Sequence, residues 1–559
     1  MTSGRIAVVL LAVHAALALW GAARNSVTYD ENFHLPSGIA IVTRGEYRVS
    51  AVNPPLVKVL CGLAALGAGA RPPAPEVLAT HDQRQVGESF MRANAAHFHT
   101  IFFAGRCVVV LLSVLLGLLV WRFARRLYGP AGALLALGLY AFAPESLAHA
   151  GLVTMDLATG LGYLASVYAW WGFARSGRWR WWAWTALAVG LTALVRFTAL
   201  LILPVLAALA LAATLGLRVR RPGRLWVGLI LLLPATLLMI QLGYRGKCSF
   251  APLAQQSFYS HGLNSLRQSM PWLRLPLPDA YLSGLDWQSF EAQVASPPTY
   301  LLGHIRTDPV WYYFPFALLF KWPLGFLGAL VARAAWSPRT HRRRRRHEVF
   351  LLLPVAAYLL AGMFLVHLNV GIRYMFPILP LLCVWLGGLM PARRLAPARG
   401  PKRHRVRTAL AIGLVVLQSL ECLQCAPWFL SFFNLPSGGP GGGDRLVNDS
   451  NVDWGQGLIA LRDELKRRGI ARVHLSYHGT TDPAIYGIDY VPYIGGEPGR
   501  EADWIAISSY YFVGLTQRMV TSRGTLPAVR IGFSALWKVP PVAKPAGCMY
   551  LYPVPHEEE

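Results

Sequence analysis

Apolar runs that approach the length of a membrane span recur along the chain and constrain its fold more than any other feature. A helix needs about 20 predominantly apolar residues to cross the hydrocarbon core of a bilayer. The qualifying windows are 6–23, 101–121, 130–146, 156–174, 181–196, 198–217, 225–243, 314–332, 349–366, 372–390 and 408–428. Charged residues make up only 14% of the sequence, as expected for such a chain. The sequence therefore predicts a polytopic α-helical membrane protein with about eleven spans.

The formal net charge of +26 comes from Lys and Arg residues, and their positions along the chain do not indicate a nucleic-acid partner. They concentrate between the apolar runs, with almost no acidic residues beside them, at 122–126, 175–180, 218–224, 342–346 and 393–407. Cytoplasmic loops of membrane proteins carry this excess of Lys and Arg. We therefore expect an inner (plasma) membrane protein whose basic stretches and N-terminus lie in the cytoplasm. Residues 24–100, 244–313 and 429–559 then lie outside.

The C-terminal tail lacks long apolar runs and has the mixed charge of a soluble domain. A Gly- and Pro-rich stretch at 436–441 precedes it, which divides the chain into a transmembrane domain, 1–435, and an extracytoplasmic domain, 444–559. Residue patterning predicts an amphipathic helix at 458–468, ended by Gly469, and strands at 445–450, 472–477, 503–509 and 548–553. We therefore expect the tail to form a small α/β domain.

Acidic side chains at the ends of spans are the first candidates for chemistry, because carboxylates at membrane depth are costly. Asp30 and Glu31 follow the first span, and Asp156 lies at the turn before the fourth. The predicted topology brings all three to the outer face. Paired carboxylates there can act as a general base on an acceptor or orient it. The alternative is helix capping, since Asp favours helix N-termini.

Several cations of the predicted outer face break the positive-inside trend. They are Lys58, Arg106, Arg196, Lys321 and Arg373, the last beside Tyr374. Arg forks and Lys ammonium groups next to carboxylates are suited to an anionic phosphate. The alternative is that each long side chain reaches outer-leaflet headgroups. Histidines on the same face, His34, His149, His304 and His367, do not have the spacing of a recognisable metal site.

The order of these motifs resembles the polyprenyl-phosphate-dependent glycosyltransferases of the C-type (GT-C) fold. The similar superfamily contains protein O-mannosyltransferases and aminoarabinose transferases. The segments that carry the resemblance are YDENFH (29–34), NPPLVKVL (53–60), GLVTMD (151–156), WYYFPFALLFKWPLG (311–325) and GIRYMFPILP (371–380). Together they reach from residue 29 to about residue 380.

The resemblance implies transfer of a sugar from a polyprenyl phosphate to an acceptor hydroxyl on the non-cytoplasmic face. It makes Asp30, with Glu31 beside it, the base or acceptor-orienting carboxylate, and Asp156 the second acidic position. Basic positions near the donor phosphate correspond to Lys58, Lys321 and Arg373, with Arg196 and Tyr374 beside them. Some relatives use a divalent metal ion and others none, so the cofactor stays open.

The tail departs from part of this superfamily. Its segment NDSNVDWGQ (448–456) is similar to one in bacterial members, whereas the sugar-binding repeats of eukaryotic protein mannosyltransferases are missing. The acceptor, whether lipid, glycan or protein, is therefore open. The competing function is a transporter or flippase of an anionic sugar-lipid. Transporters of this kind usually show inverted repeats and broken helices, whereas these candidate residues lie on one side. A non-catalytic scaffold would leave the three acidic residues unexplained.

Overall fold

The computed structural model describes residues 2–216, 221–294, 297–336, 342–366, 368–390, 401–516, 520–521, 524–525 and 533–554. His367 and much of the basic stretches 218–224 and 393–407 lie outside these residues. The helices before residue 250 are α1 (Ser3–Arg24), α2 (Glu31–Arg44), α3 (Leu56–Gly67), α4 (Pro75–Leu78), α5 (Gln83–Ala93), α6 (Phe98–Ala141), α7 (Pro144–Ala150), α8 (Asp156–Ser176), α9 (Trp179–Ala193), α10 (Ile202–Gly216) and α11 (Pro222–Gly243). The later helices are α12 (His261–Ser269), α13 (Asp279–Val294), α14 (Tyr313–Lys321), α15 (Leu324–Ala335), α16 (Arg342–Phe364), α17 (Ile378–Leu386), α18 (Pro401–Gln424), α19 (Leu458–Arg468) and α20 (Ser509–Phe512).

Six helices of the described part are long and apolar enough to cross a membrane, and a seventh span results if the pair α14 and α15 counts as one. That pair bends by 113° at its break, which holds Pro323, because proline cannot continue a helix. Every predicted window overlaps a helix, yet 101–121 and most of 130–146 lie in α6, which departs from helical geometry at Gly129. The apolar helices support a multi-pass membrane protein. The number eleven stays a prediction.

Close backbone packing fixes the helices that carry the candidate residues. Helix α1 packs against α6, α8 against α9 and α2 against α3. The contact between α2 and α3 depends on glycine, since a Cβ atom on Gly38 would lie 1.9 Å from the carbonyl oxygen of Lys58. A Cβ atom on Gly62 would lie 2.6 Å from the carbonyl carbon of Gly38. The start of α2, next to Asp30, is thereby held against α3.

Strands occur mainly in the tail. The strands are β1 (Thr299–Leu301), β2 (His304–Arg306), β3 (Arg472–Ser476), β4 (Asp489–Pro492), β5 (Trp504–Ser508), β6 (Val520–Thr521), β7 (Gly524–Thr525) and β8 (Met549–Pro553). Four of them form a mixed sheet in the order β4-β3-β5-β8, in which β3 is parallel to β4 and β5 while β8 is antiparallel to β5. Helix α19 ends at Arg468, as predicted, and the Gly469 that follows it has a left-handed conformation.

The sequence prediction for the tail is confirmed for α19 and for strands β3, β5 and β8. It is wrong at 445–450, where the chain forms short 3₁₀ turns, Gly443–Arg445 and Asp449–Asn451, instead of a strand. Polar groups of the second turn bond to the segment before α17 instead of to a neighbouring strand. The hydrophobic core is continuous from α1 to β8, so the limits of a separate domain at 444–559 stay a prediction.

Candidate active site

Asp30 precedes α2, and its side chain forms an ion pair instead of capping the helix. The backbone of Asp30 occupies the N-cap position of α2, where its side chain makes no capping hydrogen bond. Its Oδ2 accepts a hydrogen bond of 2.9 Å from Nη1 of Arg373. About a quarter of the Asp30 side chain is exposed. The carboxylate is therefore accessible and does not cap the helix, so the capping alternative does not explain Asp30.

Asp156 begins α8 and lies almost fully buried beside the same arginine. It accepts a short hydrogen bond from Arg196, and its Oδ2 lies 4.0 Å from Nη1 of Arg373. Nδ1 of His149 lies 3.8 Å from Asp156 Oδ2. The fold thus joins two of the predicted carboxylates through Arg373, although Asp30 and Arg373 are 343 positions apart in sequence.

Arg196 and Arg373 flank the ring of Tyr374. Their guanidinium carbons lie 4.5 and 5.2 Å from its centroid, and Arg373 also lies 4.0 Å from the ring of Trp454. The Nε atoms of both arginines are buried and have no hydrogen-bond partner among the described residues. A buried donor without a partner is costly. Because both arginines lie against the Tyr374 ring, these two donors favour an anion as the missing ligand.

Glu31 lies in a closed ion pair, not at an accessible position. Its side chain and that of Arg106 are both fully buried. Arg106 donates from Nε and Nη2 to the two Glu31 oxygens, at 2.8 and 2.7 Å, and its other hydrogen bonds go to the backbone carbonyls of Ala22, Asn25 and Ser26. Backbone groups of Thr28 and Val153 also donate to Glu31. These contacts do not support the prediction that Glu31 acts on substrate, because they occupy both of its oxygens.

Lys58 and Lys321 are buried, and their ammonium groups bond to backbone carbonyls. Lys58 Nζ donates to Ser50 and Asn53 oxygens, both at 2.6 Å. Lys321 Nζ donates to the carbonyls of Leu430 and Asn451, at 2.8 and 2.6 Å. Neither lysine is in an ion pair with a described carboxylate. Their contacts hold loops together, and the predicted contact with a phosphate stays a prediction.

A segment of the tail completes the site. We call residues 448–456 the tail loop. Backbone carbonyls of Trp454 and Gln456 accept hydrogen bonds from the amides of Tyr29 and Ser26, at 2.8 and 3.0 Å. On the other side, the Oδ1 atom of Asn451 accepts from the amide of Ile372, next to Arg373. The loop therefore bridges the two segments that carry Asp30 and Arg373.

The tail also supplies titratable groups that the sequence analysis did not assign. Burial raises the pKa of Asp449 to about 7; backbone bonding and Arg373 oppose that shift, whereas Asp30 and Asp453 add to it. Burial likewise raises the pKa of Asp453 to about 6. His478 stacks on Tyr510 at 3.7 Å, and burial lowers the pKa of His478 to about 3. The resemblance at 448–456 was the sequence signal, but no pattern showed which residue faces the site.

The described residues offer no ready set of ligands for a divalent metal ion. Among the described residues, no group of three or more His, Cys, Asp or Glu side chains is arranged to hold a metal ion. The two site carboxylates are bound by arginines instead. The possible divalent metal ion of the sequence analysis stays a prediction.

Comparisons with known proteins agree with the predicted family. Residues 86–240 match the model of the dolichyl-phosphate-mannose-protein mannosyltransferase family. This match begins within α5, ends within α11 and includes Asp156 and Arg196. No curated protein matches the chain.

Solved structures with a similar arrangement are distant in sequence. ArnT from Cupriavidus metallidurans bound to undecaprenyl phosphate is 12% identical, with 87% of this chain and 75% of that chain covered and a TM-score of 0.49. The Archaeoglobus fulgidus oligosaccharyltransferase in complex with Zn and sulfate is 14% identical, with 90% and 69% covered and a TM-score of 0.44. Both TM-scores are too low for residues to be carried from one structure to the other. The family match confirms the resemblance predicted from the sequence: this chain is similar to the GT-C-type, polyprenyl-phosphate-dependent glycosyltransferases.

Proposed function

We propose that this protein transfers a sugar, a hexose or a pentose, from a polyprenyl-phosphate donor to an acceptor hydroxyl on the non-cytoplasmic face of the membrane. The observation that carries the proposal is the pair of arginines, Arg196 and Arg373, with unpartnered buried Nε atoms next to two carboxylates. A lipid phosphate supplies the negative charge and the acceptor oxygens that these donors lack.

The positive and negative side chains of the site are suited to the chemistry of such a transfer. The bond from the anomeric carbon to the phosphate oxygen breaks, and its electron pair leaves on the phosphate. Fixed cations stabilise that developing charge most effectively where water is excluded. Arg373 and Arg196 perform this role, and the accessible Asp30 orients the acceptor hydroxyl.

The remaining predicted residues receive supporting roles. Asp156 holds Arg196 in place through its ion pair. Glu31 with Arg106 fixes the turn between α1 and α2, and Lys58 and Lys321 fix backbone loops around the site. We propose these five as positioning residues, with no direct contact to substrate.

The outer face is proposed from the ends of α8. Asp156 begins this 21-residue helix, and Arg175 lies in its last turn. At a rise of 1.5 Å per residue the helix is about 31 Å long, close to the thickness of the hydrocarbon core, although it is not among the six long apolar helices of the described part. Arg175 belongs to a basic stretch that the positive-inside rule places in the cytoplasm. The carboxylate end of α8 then faces outward.

Binding of undecaprenyl phosphate to the purified protein in detergent tests the donor site. Replacement of Arg373 by Gln should weaken binding about 10- to 150-fold, since loss of a charge-assisted hydrogen bond costs about 1.5–3 kcal/mol. Arg472→Gln, which removes an exposed arginine of the tail sheet paired with Asp489, is the matched control and should bind as the wild type does.

Two outcomes would contradict the proposed donor site. One is equal affinity of the wild type for undecaprenyl phosphate and for uncharged undecaprenol. The other is an unchanged affinity of Arg373→Gln. The same titration of Lys58→Gln and Lys321→Gln distinguishes direct contact with the phosphate from a positioning role. Weaker binding by either variant, at an unchanged melting temperature, would show that its lysine contacts the phosphate.

A further inference from the structure

Asp449 is a carboxylate that the tail loop brings to the same site. Its side chain is only half-buried, whereas Asp453, four residues later, is almost fully enclosed. Both Asp30 and Arg373 act electrostatically on Asp449. Because Asn451 accepts a hydrogen bond from the amide of Ile372, next to Arg373, Asp449 lies near the proposed reaction, and part of its surface is open to a ligand.

Neighbouring residues hold Asp449 firmly beside Arg373. The Oγ atom of Ser450 donates to the carbonyl oxygen of Val370 at 2.7 Å. Asn451 Oδ1 accepts from the amide of Ile372 at 3.0 Å. These two bonds fasten the turn to the segment that leads into Arg373, so Asp449 cannot move away without breaking them.

The backbone at Asp449 is strained. Its φ angle is +61°, in the left-handed region that few residues other than glycine adopt. Asp and Asn tolerate this region better than most residues. Strained conformations persist where the surrounding structure fixes them, and they cluster at active sites. The Asn448 side chain holds the Asp449 amide at 2.8 Å, which helps to fix this conformation.

The surroundings of Asp449 suit a group that exchanges a proton near neutral pH. The charged and titratable groups that face it are Arg373, Asp30, Asp453, Tyr313 and Tyr510. Although Asp449 is only partly buried, desolvation is the largest cause of its raised pKa of about 7. A general base works best when its pKa lies near the working pH. Paired acidic groups in different environments are a common source of separate acid and base roles.

We propose that Asp449 is the catalytic base that receives the proton of the acceptor hydroxyl, while Asp30 orients that hydroxyl. This inference rests on the proposed glycosyl transfer. The acceptor oxygen forms a bond to the anomeric carbon, the bond from that carbon to the phosphate oxygen breaks, and the electron pair leaves on the phosphate. The acceptor proton moves to the Asp449 carboxylate and is then lost to water.

The lipid that co-purifies from cells with Asp449→Asn tests this step without a known sugar or acceptor. Asn keeps the left-handed backbone but cannot receive the proton. The variant should therefore retain donor that it cannot use. Mass spectrometry should find the ratio of sugar-carrying to bare polyprenyl phosphate at least about tenfold higher than for the wild type, since loss of a positioned base slows reaction about 10²- to 10⁴-fold.

Asp489→Asn, an exposed change on β4, is the matched control and should give the wild-type ratio. An unchanged ratio in Asp449→Asn, with polyprenyl phosphate present in both samples, would overturn the role of Asp449 and leave the proposed transfer intact. Absence of any polyprenyl phosphate from both samples would instead overturn the proposed function, and this inference with it.

Labelling with dicyclohexylcarbodiimide, which modifies protonated carboxyl groups, gives an independent measurement on the intact protein. Asp449 should be modified at about pH 6 and much less at about pH 9, on either side of its pKa. Added undecaprenyl phosphate should block the modification. If Asp449 remains unlabelled at about pH 6, or if bound undecaprenyl phosphate leaves its labelling unchanged, the carboxylate does not share the donor site and the inference is wrong.

Discussion

Charged residues of the site divide into those that keep an accessible atom and those that are enclosed. Asp30 is partly exposed beside Arg373, whereas Glu31, the next residue, is sealed against Arg106. Neighbouring residues on a helix point in different directions. The sequence could therefore identify this acidic pair but not which member faces the substrate. Asp30, Asp156, Arg196 and Arg373 were predictable because outer helix ends are unusual places for charge.

Replacing Asp30 with Asn should slow transfer about 10- to 150-fold with the donor still bound, because the neutral amide loses the charge-assisted hydrogen bond that orients the hydroxyl, worth about 1.5–3 kcal/mol. Asp156→Asn should slow transfer less and lower the melting temperature more, since Arg196 loses its charged partner. Single-turnover release of polyprenyl phosphate from the co-purified donor, together with thermal melting, measures both. A near-normal Asp30→Asn beside a severely impaired Asp156→Asn would reverse these assignments.

Breaking the enclosed ion pair should act on stability. Glu31→Gln leaves the Arg106 charge buried without its counter-charge, and loss of one partner of a buried pair costs about 3–5 kcal/mol. Denaturant unfolding of the purified protein measures this loss. Glu88→Gln, in an exposed pair with Arg92 on α5, is the control and should change stability little because that pair is at the surface. Equal stability of the two variants would contradict the positioning role proposed for Glu31.

Helix α2 and the tail loop are the elements that assemble the site. Helix α2 is held by its glycine contact with α3, and the tail loop is held by hydrogen bonds to both sides of the site. The regular elements of the tail followed from residue patterning, since α19 and three strands are where the sequence predicts them. The tail loop did not, because its partners lie more than 70 residues away and no local pattern encodes them.

The packing of α2 on α3 can be tested with two glycines. Gly38→Ala places a methyl group 1.9 Å from a backbone oxygen of α3, and such overpacking typically costs about 1–3 kcal/mol. The melting temperature and donor binding should both fall. Gly67→Ala in α3 meets nothing within 4 Å and should be neutral or slightly stabilising, because alanine favours helices. Similar melting temperatures for the two variants would contradict the close contact.

For the molecule as a whole, composition predicted the membrane class but not the number of spans. Window counting treats every apolar run alike, whereas α6 carries two predicted windows in one kinked helix and α14 and α15 bend sharply at proline. Helices α9 and α17 have 15 and 9 residues, shorter than a standard span. Sequence periodicity does not reveal how such short and bent helices are placed in the bilayer.

Orientation has a direct test. If the basic stretches lie in the cytoplasm, the tail and the site lie outside. Alkaline phosphatase fused to the C-terminus should then be active in intact cells, and green fluorescent protein at the same position should be dark. A fluorescent fusion without phosphatase activity would put the tail in the cytoplasm and overturn the proposed outer face, although the contacts between tail loop and Arg373 would stand.

The identity of the lipid held at Arg373 tests the central claim most directly. The account predicts that mass spectrometry of the gently purified wild-type protein detects a polyprenyl phosphate carrying a hexose or a pentose. The same preparation of Arg373→Gln should contain at least about tenfold less of it, since a lost charge-assisted contact costs about 1.5–3 kcal/mol. Bulk phospholipids alone in the wild type, or equal amounts of the sugar-lipid in both proteins, would contradict a polyprenyl-phosphate donor bound at this site.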